Sequence, residues 1–267
     1  MIRCTVLALF VLAALLRGDE AEPIKKKLDD KKAEKAIKEY LEKVKATGGT
    51  SKKIDDKSVD KALPSFHFYH LLFRQYPVGR VPPEGLQASN VIAIGPDGKA
   101  QALTSAAEME KFFKANAKGL TSDDTAKQAA QAYLRLAREL HQDGFYTFSD
   151  DADSFKVAKG KGRVVTGKTT AMRGGSGTLA LTLDVGATGA ITSAKVDSKL
   201  RAGPRPICQA TKLLDADPVV RKMAEQDLLI MGRAAKGYLD EQRKKASPEL
   251  RKAIDKVWRR IVEEEKE

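Results

Sequence analysis

The segment Gly162-Arg163-Val164-Val165-Thr166-Gly167-Lys168-Thr169 satisfies the phosphate-loop pattern G-x-x-x-x-G-K-[ST] letter for letter. The chemistry of such a loop is phosphate binding. Small residues let backbone N–H groups wrap the phosphates, and a helix starts directly after the Lys-Thr pair. Neither condition holds here. Arg163 to Thr166 are long or β-branched, and Lys168-Thr169 runs into Thr170-Ala171-Met172-Arg173-Gly174-Gly175, with no room for a helix. Leu179 to Asp184 copies the partner strand of nucleotide-binding folds but belongs to the same run of extended segments. The pattern reads as a turn at a strand edge.

The other reactive side chains are sparse. His67 and His70 sit three apart on a predicted strand, so their rings point to opposite faces, and His141 lies on a predicted helix. The acidic run Ser149-Asp150-Asp151-Ala152-Asp153 lacks the glycine-containing continuation of a calcium loop and reads as a turn. Ser176, in Gly-Gly-Ser-Gly-Thr, is followed by Thr178 where a nucleophile elbow needs glycine. Cys208 has apolar neighbours and reads as a small buried side chain. The sequence therefore assigns no catalytic residue, cofactor or metal. It leans away from an enzyme while leaving that question open.

The elements that would position any site are legible from periodicity. Ala33, Ala36, Ile37, Tyr40, Leu41 and Val44 make one helical stripe inside the lysine-rich segment 22–62, and residues 47–62 read as a polar linker. Phe66 to Gln75 reads as a strand. Gly95-Pro96-Asp97-Gly98 joins two more in a hairpin, and Ser105 to Glu108 forms a capping box that opens a short helix. Residues 123–143 form the clearest helix, with Ala126, Ala129, Ala130, Tyr133, Leu134, Ala137 and Leu140 on one face. Five extended segments follow, over 145–148, 155–158, 163–172, 178–185 and 191–196, as an antiparallel meander. Residues 217–267 read as a helical hairpin, with one helix running to about Leu239 and a second from Pro248, and with Trp258 as a core anchor. The expected architecture is α+β, a helix packed on a curved antiparallel sheet in a core over 63–216. An N-terminal helix and a C-terminal helical hairpin flank it.

Charge narrows the setting. The 267 residues carry 48 Lys+Arg against 36 Asp+Glu, a net +12. The 22–62 segment is largely balanced by its own acids, so its lysines read as a solvated helix face. The stretch 151–216 holds 11 Lys+Arg against 5 Asp+Glu and supplies half of the excess. Arg3 followed by the apolar run Thr5 to Leu16 reads as an export signal over 1–21, shorter than a membrane span. Its cleavage position is ambiguous. Export to the periplasm or the outside leaves Cys208 as the lone cysteine of the mature chain and argues against nucleic acid as the partner.

The helix over 123–143 followed by strands resembles the cystatin-like arrangement shared by nuclear-transport-factor-like and PepSY-type modules. The pattern Leu181-Thr182-Leu183-Asp184-Val185 with Gly189-Ala190-Ile191-Thr192 is similar to hairpins of those modules. Residues 204–235 resemble a family of secreted bacterial proteins without assigned function. The resemblance implies a fold and an export route and no activity. The leading expectation is an exported binding protein that engages an anionic polymer, lipid surface or acidic protein through Lys159, Lys161, Arg163, Lys168 and Arg173. The rivals are an enzyme with a pocket in the concave sheet face, and a protein–protein module using its amphipathic helices. The reading of 162–169 as a turn at a strand edge predicts that an ATP analogue gives no saturable binding by calorimetry; tight binding lost on Lys168→Ala would contradict it.

Overall fold

The computed structural model describes residues 26–264. The export segment expected over 1–21 lies outside them. Helix α1 (Asp30–Lys43) starts at Asp29, whose carboxylate accepts from Lys31 N, and buries Ala33 and Ile37. A first sheet follows, with β1 (Gly49–Lys53), β2 (His67–Phe73), β3 (Ser89–Ile94) and β4 (Ala100–Leu103) in spatial as well as chain order, all antiparallel. Strand alternation gives this sheet two apolar faces. Tyr69, Leu71, Phe73, Ile92 and Ile94 pack under α1, while Phe68, Val91, Ala93 and Leu103 face the main core.

The main core is a helical layer between two sheets. Helices α2 (Lys57–Ala62), α3 (Ala106–Asn116) and α4 (Asp123–Ala137) form that layer. In the second sheet β10 (Ile191–Ser198), β9 (Thr178–Val185), β7 (Arg163–Arg173) and β5 (Thr147–Asp150) lie side by side, with β6 (Lys156–Lys159) also pairing with β7. Its inner face is Val165, Leu179, Leu181 and Leu183. A two-stranded ribbon of β8 (Gly175–Ser176) and β11 (Arg201–Ala202) closes one end. The fold is α+β with open antiparallel sheets, as the periodicity predicts.

Helix α4 shows why the layers fit. Its buried residues run from Ala132 round through Ala126 to Leu134, an arc of roughly 200° at 100° per residue, twice that of a helix on a single surface. Five of them are alanines, so the backbone can lie close to its neighbours. Ser122 and Thr125 cap its start reciprocally. A 3-10 turn (Arg138–His141) continues it, and the chain turns away at Gly144, where φ is +94°.

Four expectations are corrected. The polar stretch over 47–62 is not a linker. β1 pairs along the edge of β2 through backbone bonds that need no apolar side chain, and Asp56 caps α2 by accepting from Ser58 N and Val59 N. The first C-terminal helix divides into α5 (Pro218–Met231) and α6 (Lys236–Lys245), because Gly232 takes a left-handed φ of +56°. With α7 (Pro248–Glu264) these enclose a separate core around Leu228, Tyr238, Ile254 and Val257. Trp258 is half-buried against that core rather than inside it, with the Lys236 ammonium 5.7 Å from its ring centroid. The phosphate-loop letters are not a turn at a strand edge: Arg163 to Thr169 lie within β7, an interior strand paired with β9 on one side and with β5 and β6 on the other. Gly167 faces Phe155 so closely that a Cβ there would lie 2.4 Å from the ring.

Packing of α4 on both sides makes its alanines intolerant of bulk. Ala130→Leu, at a site with 0% exposure, is expected to lower stability by about 1–3 kcal/mol in urea unfolding. Ala107→Leu, exposed on α3, is expected to stay within about 0.5 kcal/mol.

Candidate functional site

The basic residues singled out in the sequence are spread along the second sheet. Lys159 and Arg163 meet on Asp123, the first residue of α4, at 3.0 and 2.9 Å, and Arg163 also donates to the Thr121 carbonyl. Lys161 is exposed in the β6–β7 turn, and Lys168 points outward from the middle of β7. Arg173 stands at the far end of β7, about 33 Å from Arg163 at strand rise. Only Lys159 and Arg163 are brought together, on an acid that already pairs with both. The two strand histidines diverge as expected. His67 is buried toward α1, with Nε2 2.7 Å from the Leu28 carbonyl, whereas His70 faces the opposite way. Among the described residues no group of three or more metal-ligating side chains occurs.

The position that His70 faces is a cleft of about 600 Å³. One wall is the open side of β1 and β2, with Lys52, Leu72 and Arg74. A second is the end of α4 and its 3-10 extension, with Arg135 and Glu139. The third is α6, with Tyr238 and Lys244. The cleft thus lies where the α+β body meets the C-terminal helices, a common location for ligand sites. Arg205 fixes this junction. Its Nε donates to Asp143 at 2.6 Å, and its guanidinium lies 4.9 and 5.2 Å from the ring centroids of Phe145 and Tyr146. On the other side the Tyr238 hydroxyl accepts from Ala210 N at 2.8 Å, and Arg74 pairs with Glu241 while lying 5.5 Å from the Tyr238 ring centroid.

A chain of polar groups crosses the floor. Asp56 lies 3.5 Å from Arg135 Nε, Arg135 pairs with Glu139, and Glu139 Oε2 lies 3.4 Å from His70 Nδ1. His70 Nε2 lies 2.8 Å from Ser89 Oγ, which donates to the Glu139 carbonyl. The serine proton is committed to that carbonyl, so Nε2 is the donor and the neutral ring carries its lone pair on Nδ1. Burial holds the His70 pKa below 6.5 against the opposing pull of Glu139. The cleft floor therefore presents His70 Nδ1 and Glu139 Oε2 3.4 Å apart, with the lone pair of the neutral ring turned toward the carboxyl group.

The order serine, histidine, carboxylate matches that of an acyl-transfer triad, but the geometry does not support nucleophilic attack. Ser89 is 5% exposed and does not line the cleft, and its proton points away from the histidine. What the floor can do is accept a hydrogen bond from a ligand N–H or O–H, or take up a proton. Sequence reasoning missed this set because Ser89 is 19 residues from His70 and 50 from Glu139. One local signal was readable: Arg135 and Glu139 stand four apart, at ion-pair spacing, on the predicted helix over 123–143.

Two histidines, His70 on the floor and His141 outside the cleft lining, give the fold a titration signature. His70 and His141 are both depressed by burial from 6.5, so the unfolded chain takes up protons more readily than the fold. The stability this gives is present above pH 6.5 and is lost as pH falls below it. NMR titration of the imidazole signals is expected to put His70 below 6.5. Glu139→Gln is expected to lower it further, because the carboxylate favours the imidazolium; a rise would contradict the arrangement. No protein-family model, curated protein or solved structure matches the chain.

Proposed function

We propose that the chain is an exported binding protein whose ligand is a small molecule held in the cleft between the α+β body and the C-terminal helices. The observation that carries this is the facing pair, His70 Nδ1 and Glu139 Oε2, at the floor of a cleft of ligand size. The inner end of the ligand supplies a donor, an ammonium or a hydroxyl. Leu72, Phe145 and Tyr238 provide apolar surface for its middle. Lys52 and Lys244 are exposed at the cleft and have no ion pair among the described residues, so the outer end suits an anionic group. The implied ligand is a zwitterion or hydroxy acid with an apolar middle.

Recognition is favoured over acyl transfer because the Ser89 hydroxyl beside His70 is buried and already bonded to the Glu139 carbonyl. Export is supported by the Arg3 start and the apolar run to Leu16. The basic character then serves an anionic ligand outside the cytoplasm, as the charge balance suggests.

The test is calorimetric titration of the full chain with a panel of ω-amino and ω-hydroxy carboxylates, beside matched compounds lacking one end group. Compounds with both ends are expected to bind, and Glu139→Gln is expected to weaken them about tenfold or more. Lys244→Ala, at an exposed site, is expected to weaken the carboxylates and spare their uncharged analogues. Absence of binding across the panel, or binding indifferent to both substitutions, would overturn the proposal.

A further inference from the structure

At the opposite end of β2 from Arg74 lies a second and larger groove, of about 1010 Å³. Its floor is Phe66, Ala93 and Ala100. Four lysines surround it, each from a different part of the chain: Lys26 before α1, Lys61 in the last turn of α2, Lys99 in the β3–β4 turn and Lys118 after α3. All four are exposed. The single acid in the lining, Asp97, is satisfied by Lys99, which reaches it through Nζ at 3.2 Å and through its backbone N at 3.1 Å. Lys118 Nζ donates to the Lys114 carbonyl at 3.1 Å, and Lys26 and Lys61 have no ion pair among the described residues.

We infer that this groove is a docking site for an extended acidic peptide segment of a partner protein. Charge complementarity is the first argument. Ammonium groups are compact point charges, and here they come from four separate parts of the chain around one opening. That distribution matches several carboxylates spaced along one chain better than a single anion gripped from all sides. The second argument is backbone chemistry. Ala100 and Gln101 of β4 line the groove, and β4 is the edge strand of the first sheet, with no strand on its outer side among the described residues. An extended peptide can place its own N–H and C=O groups along such an edge, with alternate side chains turned toward the lysines. The small alanine floor leaves room for a backbone and gives no deep apolar tunnel for an acyl chain.

The site is separate from the ligand cleft and shares none of its lining residues. The experiment is fluorescence anisotropy of the full chain with a labelled peptide of about eight residues alternating Glu and Val. Binding is expected, and to weaken as salt rises from about 50 to about 500 mM. Lys61→Glu combined with Lys118→Glu is expected to weaken it at least about tenfold with an unchanged circular dichroism spectrum. Lys168→Glu with Lys195→Glu, the same charge change on the outer face of the second sheet, is expected to leave it within about twofold. No binding, or equal loss in both double variants, would overturn the inference. Capture of phosphatidylserine vesicles without capture of the peptide would overturn it in favour of a lipid surface.

Discussion

The burial of α4 between the second sheet on one side and α2 and α3 on the other is the constraint on which the rest of the molecule depends. A helix that covers one sheet can keep a broad polar back, but the wide buried arc of α4 confines Lys127, Gln128, Gln131 and Arg135 to the narrower remainder. Its alanines and Tyr133 fill the space between the layers, and burial drives the Tyr133 phenol well above its ordinary pKa. Because the helix is held on more than one side, its C-terminal end is held as well. Arg135 and Glu139 emerge there, beside the edge of the first sheet, and the 3-10 turn carries Glu139 against the start of β3. The polar floor of the cleft is thus a by-product of where a tightly packed helix stops.

That floor is stable because nearly every polar group has a partner, and it is reactive toward ligands because one pair does not. Ser89 and the Glu139 backbone lock the imidazole in one tautomer. Arg135 takes the other carboxylate oxygen and is itself steadied by Asp56. The remaining atoms, Nδ1 and Oε2, oppose each other. A buried acceptor pair of this kind costs stability unless a proton or donor joins it, and ligand or acid can supply one. The same physics makes the region sensitive to pH and selective for donors.

Much of the architecture was legible in the chain. Ala33 and Ile37, the α4 stripe, and the Gly95–Gly98 hairpin announce themselves through spacing and turn chemistry, and each lies where the pattern puts it. The missed elements share a physical cause. Gly49–Lys53 becomes a strand through backbone bonding to β2, which polar side chains neither encourage nor prevent. The break at Gly232 depends on a left-handed backbone that a stripe of apolar residues does not reveal. The candidate site was less legible still. His70 was readable as one ring on one face of a strand, but its partners come from the start of β3 and the end of α4. The false phosphate loop is the converse case, in which the letters match but most of them lie on a strand, with no helix after Lys168-Thr169.

The central claim is that the junction of the α+β body with the C-terminal helices is where the protein meets its ligand. Crystallographic fragment screening of the full chain tests it most directly, because it needs no prior choice of ligand. The account predicts that fragments bearing an amine or hydroxyl gather in the cleft, with their donor between His70 Nδ1 and Glu139 Oε2 and their apolar part against Tyr238. Fragments scattered elsewhere over the surface, with this cleft left to water, would contradict it.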